Sequence, residues 1–328
     1  MSQRPIGARG LRHERWKYEK GLHELARDCY AWLAPDGSWG WSNAGLVCDG
    51  EASLLVDTLF DLRLTAEMLA AMRRRAPAAA RIGALVNTHA NGDHCYGNSL
   101  VGDARIIASA ACAEEMGEVP PSVMVQMLEN ADAMGPAGAF VRRAFGAFHF
   151  EGIELVRPTE TFEGELLLRV GGKRVRLLEV GPAHTRGDVI VHSESDRAVF
   201  TGDILFVEGT PILWQGPIEN WIAACERIEA LDVDVVVPGH GPLSDRRGAA
   251  AVREYLVFVR DAARQRFDAG LSAADAARDI ELGPYAEWSD PERIAVNVAS
   301  LYRQWGRPGQ GQLELMALMA ELAERGAR

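Results

Sequence analysis

Four short segments of the chain carry histidine and aspartate residues whose types and spacing are suited to metal chemistry. The densest segment has the sequence NTHANGDH, in which His89, Asp93 and His94 fall within six residues. Imidazole and carboxylate ligands together suit zinc, iron or manganese. Gly92 gives the segment the backbone freedom to turn several side chains toward one point. This segment predicts a metal site, although polar groups at the end of a strand could also simply be solvated.

The other three segments each place one more such residue within a turn that contains glycine. His184 lies in GPAHTRGD, Asp203 in FTGD and His240 in VPGHG. The first ends a predicted hairpin strand, and the other two follow short apolar runs that are typical of buried strands. Because α/β scaffolds assemble their sites from loops at strand ends, we expect all four segments to meet at one sheet edge.

Strands and helices alternate in the first three-quarters of the chain, and only helical patterns follow. Short apolar runs bounded by polar residues predict strands, and the pair Gly171-Gly172 predicts a tight hairpin. Asp61 is suited to cap a helix that runs to about Arg75. This order of elements predicts an α/β fold and leaves the strand order open.

The same patterns divide the chain into three regions. Residues 1–27 are polar and are interpreted as an N-terminal arm, whereas residues 28–245 hold all four metal-ligand segments. Residues 246–328 form a helical C-terminal extension. Within the middle region, residues 107–150 are long for a connection and are interpreted as a helical insertion. This insertion either covers the site as a lid or packs as plain structure.

Composition excludes several classes of protein. The chain has 328 residues and a net charge of −11, which disfavours general binding to nucleic acid or to an anionic membrane. Its five cysteines are scattered without a CxxC pair, so a disulfide framework is not expected. No apolar run reaches the roughly 18 residues of a membrane-spanning helix. The first 19 residues lack the apolar core of a secretory signal, so we expect a cytoplasmic protein.

The order HxNxDH, then His, Asp and His, resembles that of the metallo-β-lactamase superfamily, and the resemblance covers about residues 28–245. It implies a four-layer αββα sandwich with a metal site along one edge of the two sheets. The ligands that the resemblance implies are His89 and His184 for the first metal, Asp93, His94 and His240 for the second metal, and Asp203 as a bridge between both.

One position departs from the family's pattern, because Asn91 stands where a second histidine is usual. An amide oxygen is a weaker zinc ligand than imidazole. We therefore expect unequal occupancy, with the zinc ion at Asp93, His94 and His240 bound more tightly. In the alternative, both sites fill, and Asn91 coordinates weakly or holds a water molecule.

Zinc that is held by three protein ligands keeps a position open for water and lowers the pKa of that water to about 7. The resemblance thus predicts a zinc-dependent hydrolase whose metal-bound hydroxide attacks a small, apolar ester, thioester, lactone or related electrophile, with hydrolytic dehalogenation included. Asp93 and Asp203 are the candidate catalytic residues. Thr185 and Asp188 are candidates for holding the ligands in place, and Trp214 is a candidate wall of the substrate pocket.

Two other functions stay open at this stage. His89, His184 and Asp203 form a set of two histidines and one carboxylate, which suits Fe²⁺. Persulfide dioxygenases of the same superfamily use the matching positions, so an iron oxygenase is one alternative. A non-catalytic metal-binding protein is the other.

The C-terminal extension carries more apolar residues than one small helical unit needs. Tyr302 and Trp305 are followed by leucines and methionines between residues 313 and 319. We expect this surface to form a homodimer, with packing inside the chain as the alternative.

Overall fold

The computed structural model describes residues 10–326, so the first nine residues of the predicted arm lie outside the described part. The strands are β1 (Gly21–Ala26), β2 (Cys29–Leu33), β3 (Ala44–Asp49), β4 (Ala52–Val56), β5 (Ala84–Val86), β6 (Arg105–Ser109), β7 (Glu160–Phe162), β8 (Glu165–Val170), β9 (Lys173–Glu179), β10 (Val189–Ser193), β11 (Ala198–Phe200) and β12 (Val235–Val237). The α-helices are α1 (Leu62–Arg75), α2 (Gly92–Cys95), α3 (Ala110–Glu115), α4 (Pro121–Glu129), α5 (Pro136–Phe145), α6 (Ile218–Glu229), α7 (Arg246–Asp268), α8 (Ala273–Asp279), α9 (Ile294–Gln304) and α10 (Gln312–Gly326).

Two sheets form the centre of the molecule. The first has seven strands in the order β1-β2-β3-β4-β5-β6-β7, and the second has five in the order β12-β11-β10-β9-β8. In β2, Cys29, Ala31 and Leu33 belong to the core between the sheets, whereas Tyr30 and Trp32 belong to the core on the outer side. Successive side chains of a strand point to opposite faces, so a strand buried on both sides must be apolar throughout.

Helices cover the outer face of each sheet. Met68 and Met72 of α1 pack on the first sheet, and Trp221 of α6 and Tyr255 of α7 belong to the core that covers the second sheet. The predicted cap of α1 is confirmed, because the Oδ1 atom of Asp61 accepts the Leu64 amide at 2.7 Å. The result is the four-layer αββα sandwich that the family resemblance implies.

Strand direction explains why the candidate ligands share one edge. β9 and β11 are both antiparallel to β10, and β11 is parallel to β12, so β9, β11 and β12 run the same way. His184, Asp203 and His240 follow the carboxyl ends of these three strands, and the His89–His94 segment follows β5 of the facing sheet. The edge of the sandwich at these strand ends therefore collects all four segments.

The N-terminal boundary differs from the expected one. β1 lies within the segment predicted as an arm, yet it pairs antiparallel with β2 from Gly21 opposite Leu33. Leu11 is also buried, with 1% of its surface exposed. The sandwich thus starts before residue 28. A half-exposed edge strand satisfies its backbone by pairing, so it needs little of the apolar signal that sequence patterns detect.

The insertion and the C-terminal extension pack on each other and on the sandwich. The insertion becomes helical only after β6, and its helix α5 packs against α10. Met316, Leu318 and Met319 of α10 are buried within the chain. The apolar surface on which the homodimer expectation rested is therefore largely covered internally, and the homodimer stays a prediction. None of the helices within residues 10–326 is both long and apolar enough to cross a bilayer.

Candidate metal centre

Four histidines from three separate segments of the chain meet around one carboxylate. The Nε2 atom of His94 lies 3.1 Å from Oδ1 of Asp203. The Nε2 atoms of His184 and His240 each lie 3.4 Å from Oδ2 of Asp203, and that of His89 lies 3.7 Å from it. All five side chains are at least 95% buried. The structure thus brings together the residues that sequence patterns selected at four separate strand ends.

Asp93 completes the centre on its more open side. Its Oδ2 atom lies 3.2 Å from Nε2 of His240 and 3.8 Å from Nε2 of His94. Within residues 10–326, two triplets have ligand atoms within 4.8 Å of one another, namely His89 with His94 and Asp203, and Asp93 with His94 and His240. His94 belongs to both triplets, so the division of ligands is less strict than the resemblance implies.

Each imidazole is held from behind through its Nδ1 atom by an oxygen. The pairs are His89 with the Thr88 hydroxyl at 3.0 Å, His94 with the Asp57 carboxylate at 3.0 Å, His184 with the Ile212 carbonyl at 2.7 Å, and His240 with the Gly37 carbonyl at 3.1 Å. A hydrogen on Nδ1 that is donated to such an oxygen leaves the Nε2 lone pair directed at the centre.

The inward atoms are buried without hydrogen-bond partners. In the described part of the chain, these atoms include Nε2 of His89, His94 and His184 and Oδ1 of Asp203. Buried polar atoms are nearly always satisfied, because leaving them unpaired costs about 1–3 kcal/mol each. Nitrogen and carboxylate donors at a common point are the ligands that zinc takes. The residues present therefore fit a divalent metal ion.

Burial and charge separate the pKa values of the four imidazoles. Burial lowers the pKa of His184 to about 4 and holds the pKa of His89 well below its usual value. Burial also lowers the pKa values of His94 and His240, but the nearby carboxylates of Asp203 and Asp93 raise them by more. The pKa of His94 lies well above its usual value, and the pKa of His240 is raised to about 9.

The two carboxylates of the centre are in their charged form. Burial would raise the pKa values of Asp203 and Asp93, but the neighbouring imidazoles outweigh burial and lower both pKa values. Two buried negative charges at one point require compensation by positive charge. A divalent cation held by the four imidazoles would supply it.

Asp57 and Thr88 support the ligands and were not assigned to the site from sequence. The carboxylate of Asp57 accepts the Thr88 amide at 2.7 Å, the Thr88 hydroxyl at 2.7 Å and Nδ1 of His94 at 3.0 Å. Since the Thr88 hydroxyl donates to Asp57, it is free to accept the Nδ1 hydrogen of His89. The signal that could have identified Asp57 is its place directly after the apolar strand β4, which matches the places of the ligands.

Replacing Asp57 with Asn is expected to lower metal affinity by about 10- to 100-fold, the usual effect of losing a partner behind a metal ligand. The amide that replaces the carboxylate would turn its own NH₂ group toward one of the three donors that the carboxylate now accepts. Isothermal titration of the metal-free protein with zinc measures the change. Asp261→Asn is the matched control, because its side chain is 58% exposed and belongs to neither ligand triplet. Unchanged affinity in Asp57→Asn would contradict this role.

Thr185 and Asp188 shape the turn that carries His184 and do not hold its imidazole. The Thr185 amide and hydroxyl donate to the Asp188 carboxylate at 2.9 Å and 2.7 Å, and the Ala183 amide donates to it at 3.2 Å. Burial raises the pKa of Asp188 to about 7, although these hydrogen bonds oppose the rise. The partner of the His184 imidazole is instead the carbonyl of Ile212, which no sequence pattern identifies.

Two predicted site residues lie at the margin of the centre. Asn91 is half-buried at the start of α2, where its side chain makes no capping hydrogen bond and its carbonyl accepts the His94 amide at 3.0 Å. Trp214 is 36% exposed, and its ring centre lies 6.4 Å from that of Trp39. Trp39 was not singled out from sequence, although two tryptophans in the short segment between β2 and β3 are an unusual signal.

Comparison with known proteins agrees with this geometry. The family model of the metallo-beta-lactamase superfamily matches residues 37–240. The acyl-coenzyme A thioesterase MBLAC2 of Bos taurus is 28% identical over 61% of this chain and 72% of that protein. A hydroxyacylglutathione hydrolase of Methylococcus capsulatus is 26% identical over 72% of this chain and 78% of its own length.

Solved structures extend the similarity of fold to the C-terminal helices. The sec-alkylsulfatase Pisa1 from Pseudomonas sp. matches 88% of this chain with a TM-score of 0.67 and 17% identity. The chain spans about half, 50%, of the length of that alkylsulfatase. A metallo-beta-lactamase from Pontibacter korlensis matches 73% of this chain with a TM-score of 0.54. The matched family model spans more than half of the chain and includes all the candidate ligands, and the protein therefore belongs to the metallo-beta-lactamase superfamily.

Proposed function

We propose that the protein is a zinc-dependent hydrolase that cleaves a small, apolar ester, thioester or lactone, with thioesters favoured. The observation that carries the proposal is the convergence of four imidazoles and two carboxylates, in which Nε2 of His89, His94 and His184 and Oδ1 of Asp203 are buried without partners. The named activities of the acyl-coenzyme A thioesterase and the hydroxyacylglutathione hydrolase support the thioester class.

The residues of the centre have distinct roles in this proposal. A bound zinc ion would supply an activated water at neutral pH and positive charge for the oxyanion that forms. The imidazoles of His89, His94, His184 and His240 would hold the ion through Nε2. Asp93, whose side chain is 13% exposed, can orient the attacking water and accept its proton at a carboxylate oxygen. Asp203 is only 5% exposed and would add a carboxylate oxygen to the metal ligands.

Hydrolysis of a panel of chromogenic esters, thioesters and lactones, measured with and without a chelator, tests the proposal. We expect turnover of at least one acyl thioester or ester, abolished by the chelator and restored by zinc. Zinc-loaded, folded protein that hydrolyses no member of the panel would overturn the proposal and favour a non-catalytic metal-binding protein. Stoichiometric iron together with oxygen uptake would favour the oxygenase instead.

Asn91 makes unequal metal binding a separate prediction. After dialysis the native protein should retain about one zinc ion per chain. Asp93, His94 and His240 would supply three good ligands for a tight site, whereas the other site would have the amide of Asn91 where a histidine is usual. Asn91→His should raise the retained zinc toward about two per chain, since imidazole is the better ligand. Elemental analysis measures both values. Two equally tight zinc ions in the native protein would contradict the inequality.

A further inference from the structure

A charged residue of the C-terminal extension is buried beside the metal centre. Only 2% of Arg293 is exposed, and its guanidinium carbon lies 4.4 Å from the ring centre of Trp39 and 5.1 Å from that of Phe206. The ring of Phe206 in turn stacks on His240 at 5.0 Å with an interplanar angle of 1°. A continuous row of packed planar groups thus connects the extension to a candidate metal ligand and ends on Trp39.

The guanidinium of Arg293 is fixed within this row. It donates to the carbonyl of Thr210 at 2.9 Å and pairs with Asp290 at 3.1 Å. A guanidinium favours stacking on an aromatic face when it is desolvated. The position of the Trp39 ring is therefore set by a residue about 250 positions away in the sequence.

The neighbouring residue fixes the edge of the same indole. Glu292 is 4% exposed, and its Oε1 atom accepts the indole hydrogen of Trp39 at 3.3 Å. The same oxygen pairs with Arg143 of the insertion helix α5 at 3.2 Å. Glu292 thereby connects three parts of the chain, namely the extension, the insertion and the segment between β2 and β3.

Trp39 and Trp214 are close in sequence to residues whose carbonyls hold two of the candidate ligands. Trp39 is two residues from Gly37, whose carbonyl holds His240, and Trp214 is two residues from Ile212, whose carbonyl holds His184. Two residues span at most about 7 Å, so both indoles start near the centre. Trp214 keeps 36% of its surface exposed, and Trp39 also contacts Phe145 of the insertion at 5.9 Å between ring centres.

We propose that Trp39 and Trp214 form the surface on which the apolar acyl chain of the substrate packs, and that Glu292 is the positioning residue for Trp39. The proposal rests on the proposed hydrolase function and adds its specificity-determining residues. A partly exposed pair of indoles, of which Trp39 is held by Glu292 and Arg293, offers a large apolar contact with little loss of side-chain freedom on binding. The preferred substrate is therefore an acyl ester or thioester with a chain of several carbons rather than an acetyl group.

The test uses a series of acyl esters or thioesters with one leaving group and chains from acetyl to octanoyl. In the native zinc-loaded protein, kcat/KM should rise by about threefold to fourfold per added methylene, as expected for burial of each group. The dependence is the slope of the logarithm of kcat/KM against the number of acyl carbons. Trp39→Ala should at least halve this slope, so that kcat/KM falls far more for octanoyl substrates than for acetyl substrates.

Glu292 is tested with two variants that differ in hydrogen bonding. Glu292→Gln retains a carbonyl oxygen for the Trp39 indole and should keep the dependence on chain length, whereas Glu292→Leu should lose it as Trp39→Ala does. Trp305→Ala is the control, because Trp305 packs on Phe267 in the extension and should leave the dependence unchanged. A Glu292→Leu protein that retains the native chain-length dependence would overturn the positioning role.

Binding of octanoate and acetate to the zinc-loaded proteins, measured by calorimetry, separates this inference from the hydrolase proposal. If no substrate is turned over but octanoate binds more tightly than acetate and Trp39→Ala removes the difference, only the hydrolase proposal fails. If turnover occurs and neither chain-length dependence nor octanoate binding changes in Trp39→Ala, this inference is overturned.

Discussion

Asp203→Asn should abolish tight metal binding and lower kcat/KM by more than about 100-fold, because Asp203 is itself a candidate ligand and its loss should exceed the effect of losing a partner behind a ligand. Oxygens of Asp203 lie within 3.1–3.7 Å of Nε2 of all four histidines, so its charge acts at the middle of the centre. An amide of the same shape removes that charge and can place a donor against Nε2 of His94. Elemental analysis and steady-state kinetics on the same preparation measure the two losses.

A matched control distinguishes loss of the centre from loss of the fold. Asp232→Asn makes the same chemical change at a side chain that is 85% exposed and pairs with Arg197 at the surface. Exposed ion pairs contribute about 0–1 kcal/mol, so this variant should keep both metal and activity. An Asp203→Asn protein with native zinc content and activity within a few-fold of native would refute the assignment of Asp203 to the centre.

Trp221→Ala should lower the free energy of unfolding by about 3–5 kcal/mol, the range for removing a fully buried large aromatic side chain. The indole of Trp221 is 0% exposed and lies beneath the metal centre, with its ring centre 5.6 Å from that of His184. Its Nε1 atom donates to the carbonyl of Ile204 at 2.9 Å, and the truncation leaves that carbonyl without its partner. Urea denaturation of the metal-free protein measures the loss without the contribution of a bound ion.

The stability prediction also has a tryptophan control within the chain. Trp214→Ala removes the same side chain from a position that is 36% exposed and should cost clearly less than Trp221→Ala, because less apolar surface is buried there. If Trp221→Ala costs no more than Trp214→Ala, the packing of α6 under the His184 turn does not stabilise the fold as the structure implies.

Much of the metal centre could be predicted from sequence because its information is local. Five of the candidate ligands stand in a short turn after an apolar run, namely His89, Asp93, His94, Asp203 and His240. Both their residue types and their positions after a strand can be read from the sequence. Metal ligands must come from a few residue types, so a small set of spaced histidines and aspartates has few alternative explanations.

The supports behind the ligands could not be predicted in the same way. His184 and His240 are held by the carbonyls of Ile212 and Gly37, and every residue has a carbonyl. Which carbonyl faces an imidazole depends on how two loops from different elements pack, and no residue type marks it. Thr185 and Asp188 were reasonable candidates by type, yet they bond to each other within the turn.

The fold class, the helical C-terminal extension and the candidate ligands could be predicted from residue patterns, because periodic apolar runs and the types of side chains that follow them are local features of the chain. The pairing of β1 with the first sheet, the packing of α10 on α5 and the contacts of Glu292 and Arg293 with Trp39 became visible only in the folded chain. These contacts join residues that are far apart in the chain, and their energy arises from burial and geometry that exist only after the layers have packed.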